Sequence, residues 1–275
     1  MLNWTKQFNI FCFLDSHAYA APARRWDWLL GAGVRAGIGL DGDDPGALGR
    51  FVAERRWAFG HLSFELKDRF FPQLPHRQDP VGFPHYFFFE PQVLLSARGD
   101  ELHIEAEDPD AVWKGINALA VATTSPSAPV PVRGRLDRAA YIEAIRALQG
   151  HIRRGDCYEI NFCQEFFAEA AQVNPWDAWR RLSAASPAPF GGFYRLGERY
   201  LLCASPERFL KKEGGLLTAQ PIKGTARRLP ADPEADAALA QELRASSKER
   251  AENVMIVDLM RNDLSRICRD GSVHV

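Results

Sequence analysis

The stretch ATTSPSAPVPVRG, residues 122–134, does most to limit how this chain can fold. Proline fixes its own φ, lacks an N–H and disfavours a helical residue before it, so three prolines among small polar residues sustain neither a helix nor a core. The stretch reads as a linker between a region 1–121 and a region 135–275. Before it, strand and helix patterns alternate. Residues 8–14 read as a buried strand, 45–56 as a helix, and 57–66, apolar at alternate positions, as a strand. Residues 86–89 and 93–96 read as strands, and 102–105 closes a hairpin through Arg98-Gly99-Asp100. A helix is expected over 109–120, capped by Asp108.

Beyond the linker, Asp137 precedes a helix whose Tyr141, Ile145, Leu148 and Ile152 fall on one stripe. Gly155-Asp156 stops it, and a strand is expected through Phe167. A helix over 175–185 and two hairpins, 191–204 and 208–220, follow. Residues 233–244 and 248–264 read as helices, the second apolar nearly all round and so buried. The chain reaches Val275 in what reads as the opening of a strand.

Charge and composition narrow the function. Lys plus Arg number 34 against 35 Asp plus Glu, a net charge of -1, which favours neither nucleic acid nor an anionic membrane as partner. The five cysteines include no C-x-x-C pair, so neither a disulfide framework nor a zinc ribbon is encoded, and reduced thiols are expected. The longest uncharged stretch, 116–132, is broken by prolines and cannot span a bilayer. Lys6, residues 8–14 and Ala18-Tyr19-Ala20 imitate a secretory signal, but Asn9 interrupts the apolar run and Asp15 follows it directly. A buried strand in a cytoplasmic protein is the better reading.

Four clusters beyond the linker can carry chemistry. In Gly155-Asp156-Cys157-Tyr158-Glu159-Ile160-Asn161 a helix stop meets a strand start, which also fits a plain turn. In Ser205-Pro206-Glu207-Arg208-Phe209 a carboxylate between strands can enter a cavity, or can pair with the neighbouring Arg. In Pro221-Ile222-Lys223-Gly224-Thr225 a lysine at a strand end can be partly desolvated and serve as a nucleophile, or can be an exposed loop residue. Gly224 lets a ligand approach the backbone and Thr225 adds a hydroxyl. The first glycine of a phosphate loop is missing. In Lys248-Glu249-Arg250-Ala251-Glu252-Asn253, Glu249 and Glu252 share a helix face and can hold a hard cation such as Mg²⁺. Glu249 also fits a solvated first-turn position. Asp258 interrupts the apolar run that follows, so it is expected buried and paired with Arg261 or Arg266.

Taken in order, these segments resemble the chorismate-utilising enzymes, which include anthranilate synthase component I and aminodeoxychorismate synthase component I. GDCYEINF resembles the family's G-D-x-Y-Q-x-N-L, SPERFL its S-P-E-x-F, and PIKGTARR its P-I-K-G-T-x-x-R. KERAENVMIVDLMRNDLSRIC resembles its A-E-N-L-M-I-V-D-L-x-R-N-D-L-G-R. More loosely, GHLSFELK and FPHYFFFEPQVLL resemble the N-terminal region of the aminodeoxychorismate branch. Glu159 stands for the usual Gln, and Ser265 for the usual Gly.

The resemblance implies an α/β (α+β) sandwich of largely antiparallel sheets with flanking helices. It makes Lys223 a covalent nucleophile, since anthranilate synthases usually carry alanine there, and Glu207 the acid that protonates the departing hydroxide. It places Gly224 and Thr225 at the substrate, and Glu252, with Glu249, at Mg²⁺. It further implies chorismate as substrate, a glutamine amidotransferase subunit as ammonia source, p-aminobenzoate and folate synthesis as the pathway, and a tryptophan held near Asp15 and Ser16. An anthranilate synthase, or a non-catalytic module keeping partner or tryptophan binding, are the alternatives. The family's H-L-V-S segment, its S-I-T-G-A-P loop and a late metal-binding glutamate do not occur in this chain. On that pattern the catalytic fold is expected to be incomplete at its C-terminus, and the isolated chain to have little activity.

Overall fold

The computed structural model describes residues 1–17, 19, 25–39, 45–76, 79–119 and 129–275. Ala18 and Ala20 of the signal-like stretch, and residues 122–128 of the expected linker, lie outside them. Contacts divide the chain into two units, 1–127 with 173–206, and 128–172 with 207–275. One boundary, between residues 127 and 128, falls inside the expected linker, and residues 173–206 join the first unit. Residues 173–206 belong with the N-terminal region because one of their strands pairs along the first strand of the chain.

The first unit contains strands β1 (Ile10–Asp15), β2 (Trp28–Ala32) and β3 (Ala36–Ile38), helix α1 (Pro45–Ala53), strand β4 (Phe59–Leu62) and the short helix α2 (Lys67–Phe70). Strands β5 (Tyr86–Glu90), β6 (Val93–Arg98) and β7 (Glu101–Glu105) and helix α3 (Pro109–Asn117) follow. The second unit takes over with β8 (Arg133–Gly134), α4 (Arg138–Arg154) and β9 (Phe166–Phe167). Helix α5 (Pro175–Ala185) and strands β10 (Phe190–Leu196) and β11 (Arg199–Ser205) return to the first unit. The hairpin β12 (Lys211–Glu213) and β13 (Leu216–Thr218), then α6 (Pro233–Ala245) and α7 (Ser247–Ser265), complete the second.

In the first unit one sheet runs β11-β10-β1-β2-β6-β7 and another β3-β5-β4, every pair antiparallel. Successive side chains of a strand face opposite ways, so a sheet covered on both faces needs apolar residues at adjacent positions. That is why β1 carries Phe-Cys-Phe at 11–13. Phe11 and Phe13 join Leu30, Leu95 and Phe193 under Trp176 and Trp179 of α5. Cys12, between them in sequence, joins Leu94, Tyr194 and Leu196 against Phe59, Phe87 and Phe89 of the second sheet. Burial pushes the Cys12 thiol up to about 12, so it is an inert core group. Among the described residues no helix is long and apolar enough to cross a membrane.

Several expectations meet a correction. The alternation over 57–66 promised one strand, but β4 stops at Leu62 and Phe64–Leu66 is a turn of 3-10 helix. Its partner β5 begins at Tyr86, opposite Leu62, just after Pro84, which has no N–H to donate. Strand β2 escapes the pattern altogether, because a strand covered on both faces shows no alternation. The strand expected through Phe167 shrinks to Phe166–Phe167, whose partner is only two residues long. No strand forms at Val273-His274-Val275.

In the second unit, helix ends follow their sequence signals. Asp137 Oδ1 accepts the Ala140 N–H at 2.8 Å, and Gly155 ends α4 in the left-handed region at φ 80°. The expectation that α7 is buried fails, since none of its residues is buried and Val254 is 66% exposed. Asp258 is exposed too. It pairs with Arg261 at 2.7 Å, one helical turn on, so solvent and a local partner replace the burial expected for it.

Candidate active site

Lys223 lies in the extended loop that follows β13, not at a strand end. The loop is tied down beyond it: Arg228 Nε donates to both oxygens of Asp236 at 2.9 and 3.0 Å, and the Leu229 N–H donates to the same carboxylate at 2.7 Å. These donors, Arg228 foremost, hold the Asp236 carboxyl below its usual range. The loop is thus clamped to the first turn of α6, whose cap, Asp232, accepts the Ala235 N–H.

The Lys223 ammonium does not face open water. Its Nζ donates to Glu159 and, at 3.4 Å, to Asn161 Oδ1, and its side chain is only 20% exposed. Glu159 and Asn161 also line a cavity of about 530 Å³ walled by Tyr158 and, from α7, by Met255, Ile256 and Leu259. Glu207, expected beside the amine, sits one peptide away: its Oε1 accepts the Ile222 N–H at 3.1 Å. Lysine and acid therefore meet through the backbone of Ile222-Lys223, and the carboxylate bonded to the amine is Glu159.

Gly224 has φ +80°, open to glycine and costly for other residues. A Cβ there would lie 2.7 Å from Glu249 Oε2 and 3.2 Å from Leu243 Cδ1, so the loop backbone packs directly on the α6–α7 junction. Thr225, next along, is exposed.

Glu249 is the third residue of α7, and its N–H donates to the Ser246 cap at 3.4 Å. Its carboxylate and that of Glu252 converge on one cation. Lys248 Nζ lies 3.1 Å from Glu249 Oε1 and 3.1 Å from Glu252 Oε1, and these two partners raise its pKa. The donors fit Mg²⁺ in kind, since that ion takes one or two carboxylates and fills its octahedron with water and substrate oxygens. The Lys248 side chain is 72% exposed and can swing into solvent to yield its place. Among the described residues no group of three acidic, His or Cys side chains is placed to hold a metal.

In the first unit, Asp15 and Ser16 line a second cavity, of about 330 Å³, with Trp28, His61 and Tyr194. Both are engaged locally: Asp15 Oδ1 accepts the His17 N–H at 2.8 Å, and Ser16 Oγ donates to Asp27 O at 2.9 Å. His61 bridges Tyr194 Oη at 3.2 Å and Pro84 O at 3.0 Å, and burial holds its imidazole below the usual range.

Sequence reasoning had Lys223 and Glu207 but missed Glu159 and Asn161 as the lysine's partners. The signal was the Glu at a position where the resemblance has Gln. Residues 40–275 match the model of the chorismate binding enzyme family. The chain belongs to that family.

It is 44% identical over 224 residues to aminodeoxychorismate synthase component 1 of Klebsiella aerogenes, a match covering 79% of this chain and 49% of that protein. Against anthranilate synthase component 1 of Thermus thermophilus it is 33% identical over 230 residues, 78% of this chain and 49% of that one. The chain thus spans about half the length of these curated relatives. The crystal structure of anthranilate synthase component I from Streptococcus pneumoniae shares its fold, with a TM-score of 0.75 at 21% identity over 90% of this chain and 63% of that one. The expected α+β fold with largely antiparallel sheets is borne out.

Proposed function

We propose that this chain carries the chorismate-aminating chemistry of an aminodeoxychorismate synthase component I. The observation that carries the reading is the Lys223 amine, one-fifth exposed and bonded to Glu159 of the cavity wall, in a loop whose backbone also binds Glu207. Chorismate must lose an allylic hydroxide and gain an amine. The neutral Lys223 amine adds to the conjugated ring while Glu207 gives its proton to the departing hydroxide, which leaves as water. Ammonia then displaces the lysine, giving 4-amino-4-deoxychorismate for p-aminobenzoate and folate synthesis. Two easier substitutions replace one difficult one.

Gly224 and Thr225 supply an approachable backbone and a hydroxyl to the substrate. Glu252 and Glu249 would hold Mg²⁺, which when bound neutralises and orients a substrate carboxylate. A glutamine amidotransferase subunit is the ammonia source, tryptophan occupies the cavity at Asp15 and Ser16, and the protein works in the cytoplasm.

The test uses the chain by itself and joined to the portion of the Klebsiella aerogenes relative that it does not match. Each is given chorismate, Mg²⁺ and ammonium, and products are separated by chromatography. The joined protein is expected to make aminodeoxychorismate, and Lys223→Ala to lower its turnover by at least about a hundredfold. Anthranilate as the product, or turnover untouched by Lys223→Ala, would overturn the proposal.

A further inference from the structure

Lys223 is an ammonium bonded to a carboxylate, and an ammonium has no lone pair with which to attack. We propose that Glu159 is the positioning residue of Lys223, the carboxylate whose charge holds the ammonium in place and sets how much neutral amine is free to attack. This rests on the reading of Lys223 as nucleophile.

Among the described contacts, the carboxylate on the Lys223 amine is Glu159. The other carboxylates around the loop have different partners. Glu207 accepts the Ile222 N–H, Glu249 and Glu252 share Lys248, and Asp258, on the cavity wall, holds Arg261. Asn161 can accept a hydrogen bond from Nζ at 3.4 Å but carries no charge. Glu159 is one-quarter exposed and Lys223 one-fifth, so the pair is partly shielded from water, where a neighbouring charge acts more strongly. A glutamine in place of Glu159 would keep the hydrogen bond and the volume but not hold the ammonium by charge.

The chain has seven lysines, few enough to follow one by one. The full chain is treated with a limiting amount of acetic anhydride at one near-neutral pH, and acetylation of each lysine is measured by peptide mass spectrometry. Only the neutral amine reacts. Glu159→Gln is expected to speed acetylation of Lys223 by about three- to tenfold, with Lys211 and Lys248 unchanged as internal standards. In the unaltered chain, added salt is expected to move Lys223 in the same direction by screening the pair, a measurement that needs no variant. Equal Lys223 rates with and without Glu159→Gln would overturn the inference. So would an increase in Glu159→Ala that Glu159→Gln does not share, since space rather than charge would then govern. Failure of the underlying reading looks different: Lys223→Ala would keep turnover while Glu159→Gln still accelerated acetylation.

Discussion

The core of the first unit hangs partly on one hydroxyl. Thr5 is fully buried, and its Oγ1 donates to Leu2 O at 2.7 Å while accepting the Trp176 indole N–H at 3.1 Å. It thereby ties the N-terminal 3-10 helix Leu2–Gln7 to α5. Thr5→Val keeps the shape and removes both bonds. The indole donor is then stranded in an aromatic setting, with the Phe11 and Phe193 ring centroids 6.2 and 5.7 Å from that of Trp176. A buried donor left without a partner costs about 1–3 kcal/mol, and the added methyl offsets only part of that. For a unit of this size the loss corresponds to a fall in Tm of roughly 2–10 °C.

All seven tryptophans of the chain fall in residues 1–127 and 173–206, so tryptophan fluorescence during thermal unfolding reads this unit. Thr5→Ser is the control, because it restores the hydroxyl and gives up one methyl. The expected order of stability is unaltered chain, then Ser, then Val. A Val variant as stable as the Ser variant would show that the indole finds another acceptor, and the account of this joint would fail.

Two further outcomes follow from the geometry. Burial favours the neutral form of His61, so on acidification the unfolded chain takes up a proton that the folded one resists, and stability falls as pH drops below about 6.5. His61→Gln should flatten that dependence in urea titrations at several pH values; an unchanged slope would refute the assignment. Gly224→Ala adds a left-handed alanine and a contact with Glu249, about 1–2 kcal/mol together, read by the helical circular dichroism of α4, α6 and α7 during urea unfolding. In a Glu249→Ala background the same change should cost only the backbone part, and an equal cost in both would remove the contact from the account.

What the sequence shows and what it hides have separate physical causes. Helix ends are legible because a cap acts within three or four residues, so Asp108, Asp137 and Gly155 announce their helices. Strand β1 is legible from a dense apolar run. Strand β2 is not, because the same double burial that fills it with apolar residues erases the period that marks a strand. The strand predicted over 57–66 fails for a related reason: alternation describes which side chains are wet, while a ladder needs a partner, and the partner ends at Tyr86. Helix α7 fails on the same ground, since an apolar surface states only that cover is needed.

The candidate site divides along the same line. Residues of one loop were readable together: Lys223 and Gly224 are adjacent, and Glu207 does meet the backbone of that loop. Across the 64 positions between Glu159 and Lys223 no local rule operates. The clue was chemical. A carboxylate where the resemblance has a neutral amide changes the charge next to any lysine that folds against it, and among the described contacts Lys223 is the one that does. Substitutions of that kind, equal in shape and different in charge, are easily passed over as conservative. On the proposed reading of Lys223 as nucleophile, charge is the property by which residue 159 acts on the amine.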